Sequence, residues 1–137
     1  MGIKDYAQLV ELWRRAGLPF RHAGRDSREA IEAQMKANPD FFLGTFEDSS
    51  LVATIIVSSD GRKGWLNRLA VSPEHRRRGT AKALIAEAEK VLRERGIRVF
   101  CALIRDSNES SKNLFEDLGY RELKNIKYFS KRDSEEV

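Results

Sequence analysis

The sequence predicts an α/β fold of three layers, with a mixed, mostly antiparallel sheet between helices. Three observations carry this. Apolar runs at Phe41–Phe46, Leu51–Val57 and Trp65–Val71 are separated by the turn signals Glu47-Asp48-Ser49-Ser50 and Ser58-Ser59-Asp60-Gly61, the pattern of an antiparallel meander. From Thr80 onward, Ala81, Leu84, Ile85, Ala88, Val91 and Leu92 recur at helical spacing. The stretch Arg98–Ile104 is then continuously apolar beyond its arginine, which suits a strand buried on both faces. Strand, helix and strand with one crossover make a parallel pair, connected right-handedly.

The first helix is expected from Asp5 to Ala16, with Tyr6, Leu9, Val10, Trp13 and Ala16 on one face and Gly17 as its stop. Leu18 to Arg25 reads as a loop. A second helix starts near Asp26, where Glu29 is placed for a capping box, and ends before Asn38-Pro39. After the meander, a helix from Thr80 to Arg95 is closed by Gly96. Asp106-Ser107-Asn108 offers N-caps for the last helix, whose face is Ser111, Leu114, Phe115 and Leu118 and whose end is Gly119. Tyr120–Leu123 and Lys127–Lys131 then read as a closing hairpin, and Arg132–Val137 as a frayed tail.

The 137 residues suit a single domain, 1–137, with a core of its own. Hydrophobic content of 41% beside 34% charged residues excludes a disordered chain. No apolar run has membrane-spanning length and the first residues carry no signal-peptide pattern, so a cytoplasmic location and no membrane partner are expected. A single cysteine, Cys101, excludes an internal disulfide framework, and its place in an apolar run makes it a buried thiol rather than a nucleophile. No metal-ligand cluster stands out. Of the net charge of +4, much is concentrated at Arg76-Arg77-Arg78.

That triplet, followed by Gly79-Thr80-Ala81, feeds the start of the third helix. Backbone N–H groups there lack intrahelical partners, and the helix dipole adds partial positive charge, so the turn is suited to an anion. Glycine lets the backbone come close to a bulky group, and arginines supply bidentate phosphate donors. A pyrophosphate is the best fit. The turn is not a P-loop, because no Gly-Lys-Ser/Thr follows, and not a dinucleotide fingerprint, because Gly-x-Gly-x-x-Gly is absent.

Arg76-Arg77-Arg78-Gly79-Thr80-Ala81 resembles the acetyl-CoA-binding motif of the GNAT family of N-acetyltransferases, Gln/Arg-x-x-Gly-x-Gly/Ala, with Arg76, Gly79 and Ala81 in its defined places. Leu69-Ala70-Val71-Ser72-Pro73-Glu74-His75 looks like the strand and turn that lead into it. A second block, Asn108 to Tyr120, is similar to the family's later motif of an Asn, a helix with aromatic positions, and Gly-Phe/Tyr. The resemblance spans Phe42 to Phe129, and it implies a three-layer GNAT-like fold whose usual first strand is here short or missing, since only Met1–Lys4 precede the first helix.

The resemblance also implies a site and a reaction. Main-chain groups of Leu69, Ala70 and Val71, on a strand that carries a bulge in family members, would hold the pantetheine arm and polarise the thioester. Arg76, Arg77, Arg78, Gly79, Thr80 and Ala81 would hold the pyrophosphate, and Asn108, Ser111 and Phe115 would complete the cofactor's contacts. An amine would attack acetyl-CoA directly, without a covalent enzyme intermediate. Two positions depart from the family pattern. Asn67 stands where a Glu is often the base, and can position a water but not take the proton. Phe115 stands where a Tyr often protonates the thiolate. Asn67 and Asn108 are therefore the catalytic candidates. Phe20, Arg21 and His22, in the loop between the first helices, are candidate acceptor contacts. Arg68, if it faces the cleft, would repel polyamines and favour an acceptor carrying a carboxylate or phosphate.

Three functions follow from different classes. The first is an acetyl-CoA-dependent N-acetyltransferase acting on a small-molecule or peptide amine, with a homodimer possible as in many family members. The second is a catalytically weak acyl-CoA-binding module, motivated by Asn67 and Phe115. The third is a basic nucleic-acid-binding domain, motivated by Arg76–Arg78; against it, the chain has no recognisable nucleic-acid module and no interleaving of aromatic and basic residues, so no nucleic-acid partner is expected.

Overall fold

Ser50–Ser59 forms the strand against which both helical layers pack. A computed structural model describes residues 1–137. Numbered along the chain, the elements are α1 (Tyr6–Arg15), α2 (Arg28–Ala37), β1 (Phe42–Glu47), β2 (Ser50–Ser59), β3 (Gly64–Val71), α3 (Thr80–Glu94), β4 (Phe100–Cys101) and α4 (Glu109–Asp117). Short 3-10 turns sit at Ile3–Asp5, Pro39–Phe41 and Pro73–His75. The sheet order is β1-β2-β3-β4, with β1/β2 and β2/β3 antiparallel and β3/β4 parallel.

Neighbouring strand residues point to opposite faces, so a strand buried at every position must be covered twice. Leu51 through Val57 are all buried. The helices that pack on β2 are α1, through Leu9, Leu12 and Trp13, and α3, through Leu84, Ile85, Ala88 and Leu92. These side chains and those of the strands join in one core cluster. The three layers expected from the sequence are thus α1/α2, sheet and α3. No helix is long and apolar enough to cross a membrane.

At the start of β3, Gly64 is pressed against α3. A Cβ there would lie 2.4 Å from Leu92 Cδ1, and Leu92 is itself fully buried. Overpacking a core contact of this kind costs about 1–3 kcal/mol. Gly64→Ala is therefore expected to lower the urea midpoint by that amount of stability while leaving the slope of the transition unchanged.

The structure corrects four local expectations. The N-cap of α2 is Ser27, whose Oγ accepts from the Ala30 N–H at 3.1 Å. Asp26 turns inward instead, accepting from the Arg21 N–H at 2.8 Å through Oδ2 and from the Tyr6 hydroxyl at 2.6 Å through its carbonyl. Its carboxylate closes the preceding loop and is not available as a cap. The second correction is β4, which is two residues long and not seven, with Val99 and Leu103 exposed and not buried between layers. It leaves β3 after the pairs Gly64↔Phe100 and Trp65↔Cys101.

The third is the closing hairpin, which does not form. Residues 120–131 hold no strand, and Leu123, Ile126, Tyr128 and Phe129 are exposed. A hairpin needs a neighbouring edge to extend, and a two-residue β4 presents almost none. The last concerns the tail, which is not free: the Glu135 carbonyl accepts from Arg21 Nη1 at 2.8 Å. As expected, no strand precedes α1, and the chain enters it through the turn at Ile3–Asp5.

Candidate functional site

Two irregularities of β3 make a cleft. Thr54 of β2 faces Ala70, and Ile56 faces Asn67, so Ile55 stands opposite both Arg68 and Leu69. This is a β-bulge, which locally re-aims side chains and bends the strand. Its first residue, Arg68, has φ 55, a backbone region that residues other than glycine rarely occupy. The second irregularity is the early departure of β4. Beyond Trp65 the edge of β3 toward β4 has no ladder partner, and Leu69, Ala70 and Val71 lie along that open edge.

Val71 leads directly into an anchored turn. The Ser72 N–H donates to the Val52 carbonyl at 2.8 Å, and its buried hydroxyl lies 2.6 Å from His75 Nδ1. His75 Nε2 reaches Glu47 Oε2 at 2.8 Å, Glu74 pairs with Arg15, and Arg76 Nε donates to the Val71 carbonyl at 3.3 Å. The turn is tied to β1, β2 and α1 before it reaches α3.

Beyond those ties the backbone is open. No backbone N–H group from Arg76 to Lys82 donates to another group of the protein. Arg77 has φ 64 and Gly79 φ 78, so the chain turns twice through left-handed conformations before entering α3. No side chain caps this helix, and nothing lies within 4 Å of where a Gly79 Cβ would point. Arg76, Arg77 and Arg78 are exposed around it, while Thr80 and Ala81 sit half-buried in the first helical turn. Unpaired donors, the helix dipole and three guanidinium groups all favour a multiply charged anion here.

The acceptor candidates fall into a second group, joined by a residue that sequence reasoning assigned only to the core. Trp13 is fully buried on α1, and the Arg68 guanidinium lies 4.2 Å above its ring. Phe20 packs against Trp13 with ring centroids 6.4 Å apart, and His22 stacks on Phe20 at 6.0 Å. Arg21 is held by its backbone to Asp26 and by its side chain to the tail. Burial pulls the Arg68 pKa down, the Asp26 charge opposes that shift, and Arg25 adds to it. Neither Trp13 nor Asp26 carried a signal of this role in sequence, because both already had an ordinary reading as helix face and helix cap.

The remaining candidates stand apart. Asn67 Nδ2 donates to Ser58 Oγ at 3.0 Å and to the Trp65 carbonyl at 3.3 Å. Asn108 caps α4, its Oδ1 accepting from the Ser111 N–H at 3.1 Å. Phe115 is buried, and meets Tyr120 edge-on at 4.9 Å. The Tyr120 hydroxyl donates to Glu89 Oε2 at 2.7 Å, and burial followed by that carboxylate pushes its pKa well above the usual phenol range. Tyr120 is therefore a packing residue and a poor acid, and Tyr128 is exposed.

A profile of the Acetyltransferase (GNAT) family matches residues 6–120. The chain belongs to that family. Among curated relatives of this GNAT chain is an acetyltransferase of Photorhabdus laumondii, 34% identical over 118 residues that make up 86% of this chain and 81% of the relative. Among solved structures, the Paia N-acetyltransferase of Thermoplasma acidophilum in complex with coenzyme A superposes with a TM-score of 0.76 at 25% identity, covering 88% of this chain and 86% of that one. The fold is shared also with AAC(6')-Iy bound to a bisubstrate analogue, at a TM-score of 0.76, 20% identity and coverage of 96% and 95%. The chain is thus a GNAT acetyltransferase with acetyl-CoA as its cosubstrate, and the mixed sheet between helices is the family's fold.

Proposed function

We propose that the protein transfers the acetyl group of acetyl-CoA to a primary amine of a small molecule or peptide by direct attack. The unbroken row of free backbone N–H groups from Arg76 to Lys82, beside the open edge of β3, is the observation that carries this reading. That row and the three arginines take the pyrophosphate. Main-chain groups of Leu69, Ala70 and Val71 take the pantetheine arm and stabilise the charge that develops on the thioester oxygen. Asn108, Ser111 and Phe115 flank the arm. The amine nitrogen forms a bond to the carbonyl carbon, the carbon–sulfur bond breaks, and CoA leaves as thiolate or thiol. A thiol has an ordinary pKa near ~8.5, so its departure needs little acid help.

Asn67, held by Ser58 and Trp65, supplies no base. The acceptor must then shed its proton to solvent, directly or through a water. Neutral amine rises tenfold for each pH unit below its pKa, so kcat/KM for a simple amine should climb with unit slope toward that pKa. CoA release measured with a thiol reagent, with and without amines and across pH, tests both points. Amine-dependent release with that slope is expected. Saturable acetyl-CoA binding without any amine-dependent release would favour instead the weak acyl-CoA-binding module, the reading to which the bonded Asn67 and the buried Phe115 give weight. A cytoplasmic location belongs to the same proposal, as does a homodimer.

A further inference from the structure

We infer that Arg68 and Trp13 form a carboxylate-binding subsite, and that the acceptor class is amines that carry a carboxylate, amino acids among them. The inference deepens the acetyltransferase reading and, as far as the acceptor goes, rests on it. Four buried side-chain nitrogen or oxygen atoms have no hydrogen-bond partner in this chain: Trp13 Nε1, Arg21 Nε, Arg68 Nε and Arg68 Nη2. All four are donors. Three of them, Trp13 Nε1, Arg68 Nε and Arg68 Nη2, belong to one neighbourhood, since Arg68 lies over Trp13, whereas the Arg21 side chain turns to the tail. Buried polar groups almost always have partners, so an unmet set of one polarity indicates what is missing. Here the missing partner is an acceptor.

The stacked Trp13 ring does not supply it. A ring beneath a guanidinium attracts its face, whereas the N–H groups point outward in the guanidinium plane. Nε–H and the Nη2–H beside it lie parallel along one edge of that plane, the fork that grips a carboxylate with two hydrogen bonds. Asp26 does not fill the fork either, because its Oδ2 accepts from the Arg21 N–H and no hydrogen bond joins it to Arg68. Its negative charge nonetheless acts on Arg68, so a singly charged carboxylate suits the site better than a phosphate dianion.

The bulge gives the subsite its place. Positive φ at Arg68 sends the side chain under α1, while the next residue, Leu69, stays on the open edge where the thioester arm lies. A carboxylate on the fork is therefore held beside the Trp13 ring by the residue that adjoins the acetyl site in sequence.

Nitrogen-15 NMR of the whole protein tests this, following Arg68 Nε–H and Trp13 Nε1–H with and without CoA. The probes are an equimolar mixture of amino acids, the matched mixture of their amides, and inorganic phosphate. The acids should shift both signals saturably, with the amides and phosphate giving less than about a tenth of that shift. Arg68→Gln should abolish the response to acids, and Arg68→Lys, which keeps charge but loses the fork, should weaken it about tenfold, with calorimetric CoA affinity in each within threefold of wild type. No shift with the acids, an equal shift with their amides, or a larger one with phosphate would overturn the inference. The arms without CoA decide it even if wild-type protein fails to bind CoA, an outcome that would count instead against the acetyltransferase site.

Discussion

Gly79→Glu should abolish acetyl-CoA binding: calorimetry that registers saturable heat with the wild-type protein should register none with the variant at the same concentrations. Three effects act together. Gly79 holds φ 78, where a side chain costs about 1 kcal/mol or more. Its Cβ would project into open space beside the turn to which the proposed function assigns the pyrophosphate. The new carboxylate repels the phosphates and competes for the same donors as an internal cap. One unit charge at about 4 Å contributes on the order of 4 kcal/mol in a medium of intermediate polarity, so an affinity loss of a hundredfold or more is expected. Gly79→Ala separates the causes, since it adds strain and a methyl group but no charge, and should weaken binding only about tenfold. Binding by Gly79→Glu within threefold of wild type would remove the turn from the site.

The second large effect is on stability. Trp13→Ala should destabilise the fold by about 3–5 kcal/mol, the usual cost of emptying a large core site. Against a typical total of about 5–15 kcal/mol, that is a substantial fraction. The ring is fully buried, packs on Phe20, and is the face on which the half-buried Arg68 guanidinium rests. Its removal leaves both a cavity and a charge without its nearest partner. Trp13→Phe is the informative contrast. It retains a π face, and the Nε1–H that it deletes has no partner within the chain, so no hydrogen bond is lost. Thermal unfolding should show a drop of roughly 10–20 °C for the alanine variant and a small one for phenylalanine. An alanine variant within 1 kcal/mol of wild type would show that the cluster does not hold α1 to the sheet.

The parts of the fold that were legible in sequence are those whose signal is local. The period of α3 and the stop at Gly96 are each written within a few residues, and the structure has both. The turn before Thr80, with its unpaired backbone N–H groups, was legible for the same reason. What sequence reading missed depends on distant partners. The apolar residues Val99 to Ile104 read as a buried strand, yet a strand extends only as far as its neighbour does, and β3 bulges away. The hairpin at 120–131 failed in turn, because its docking edge was that same strand. Asp26 read as the cap of α2, and Ser27 takes that place because the Arg21 N–H across the loop holds the Asp26 carboxylate. Arg68 was flagged, but its place over Trp13 follows from a positive φ that nothing in the residue type announces.

The free N–H row also bears on how an occupant would be noticed. Amides that bond to nothing trade hydrogen for deuterium about as fast as those of an unfolded peptide, whereas neighbours locked in β2 and α3 trade slowly. Residues 76–82 are consecutive in the chain, so a single proteolytic fragment contains the entire row. Its deuterium uptake is a built-in gauge of occupancy, slowed by whatever docks there and indifferent to whether any chemistry follows.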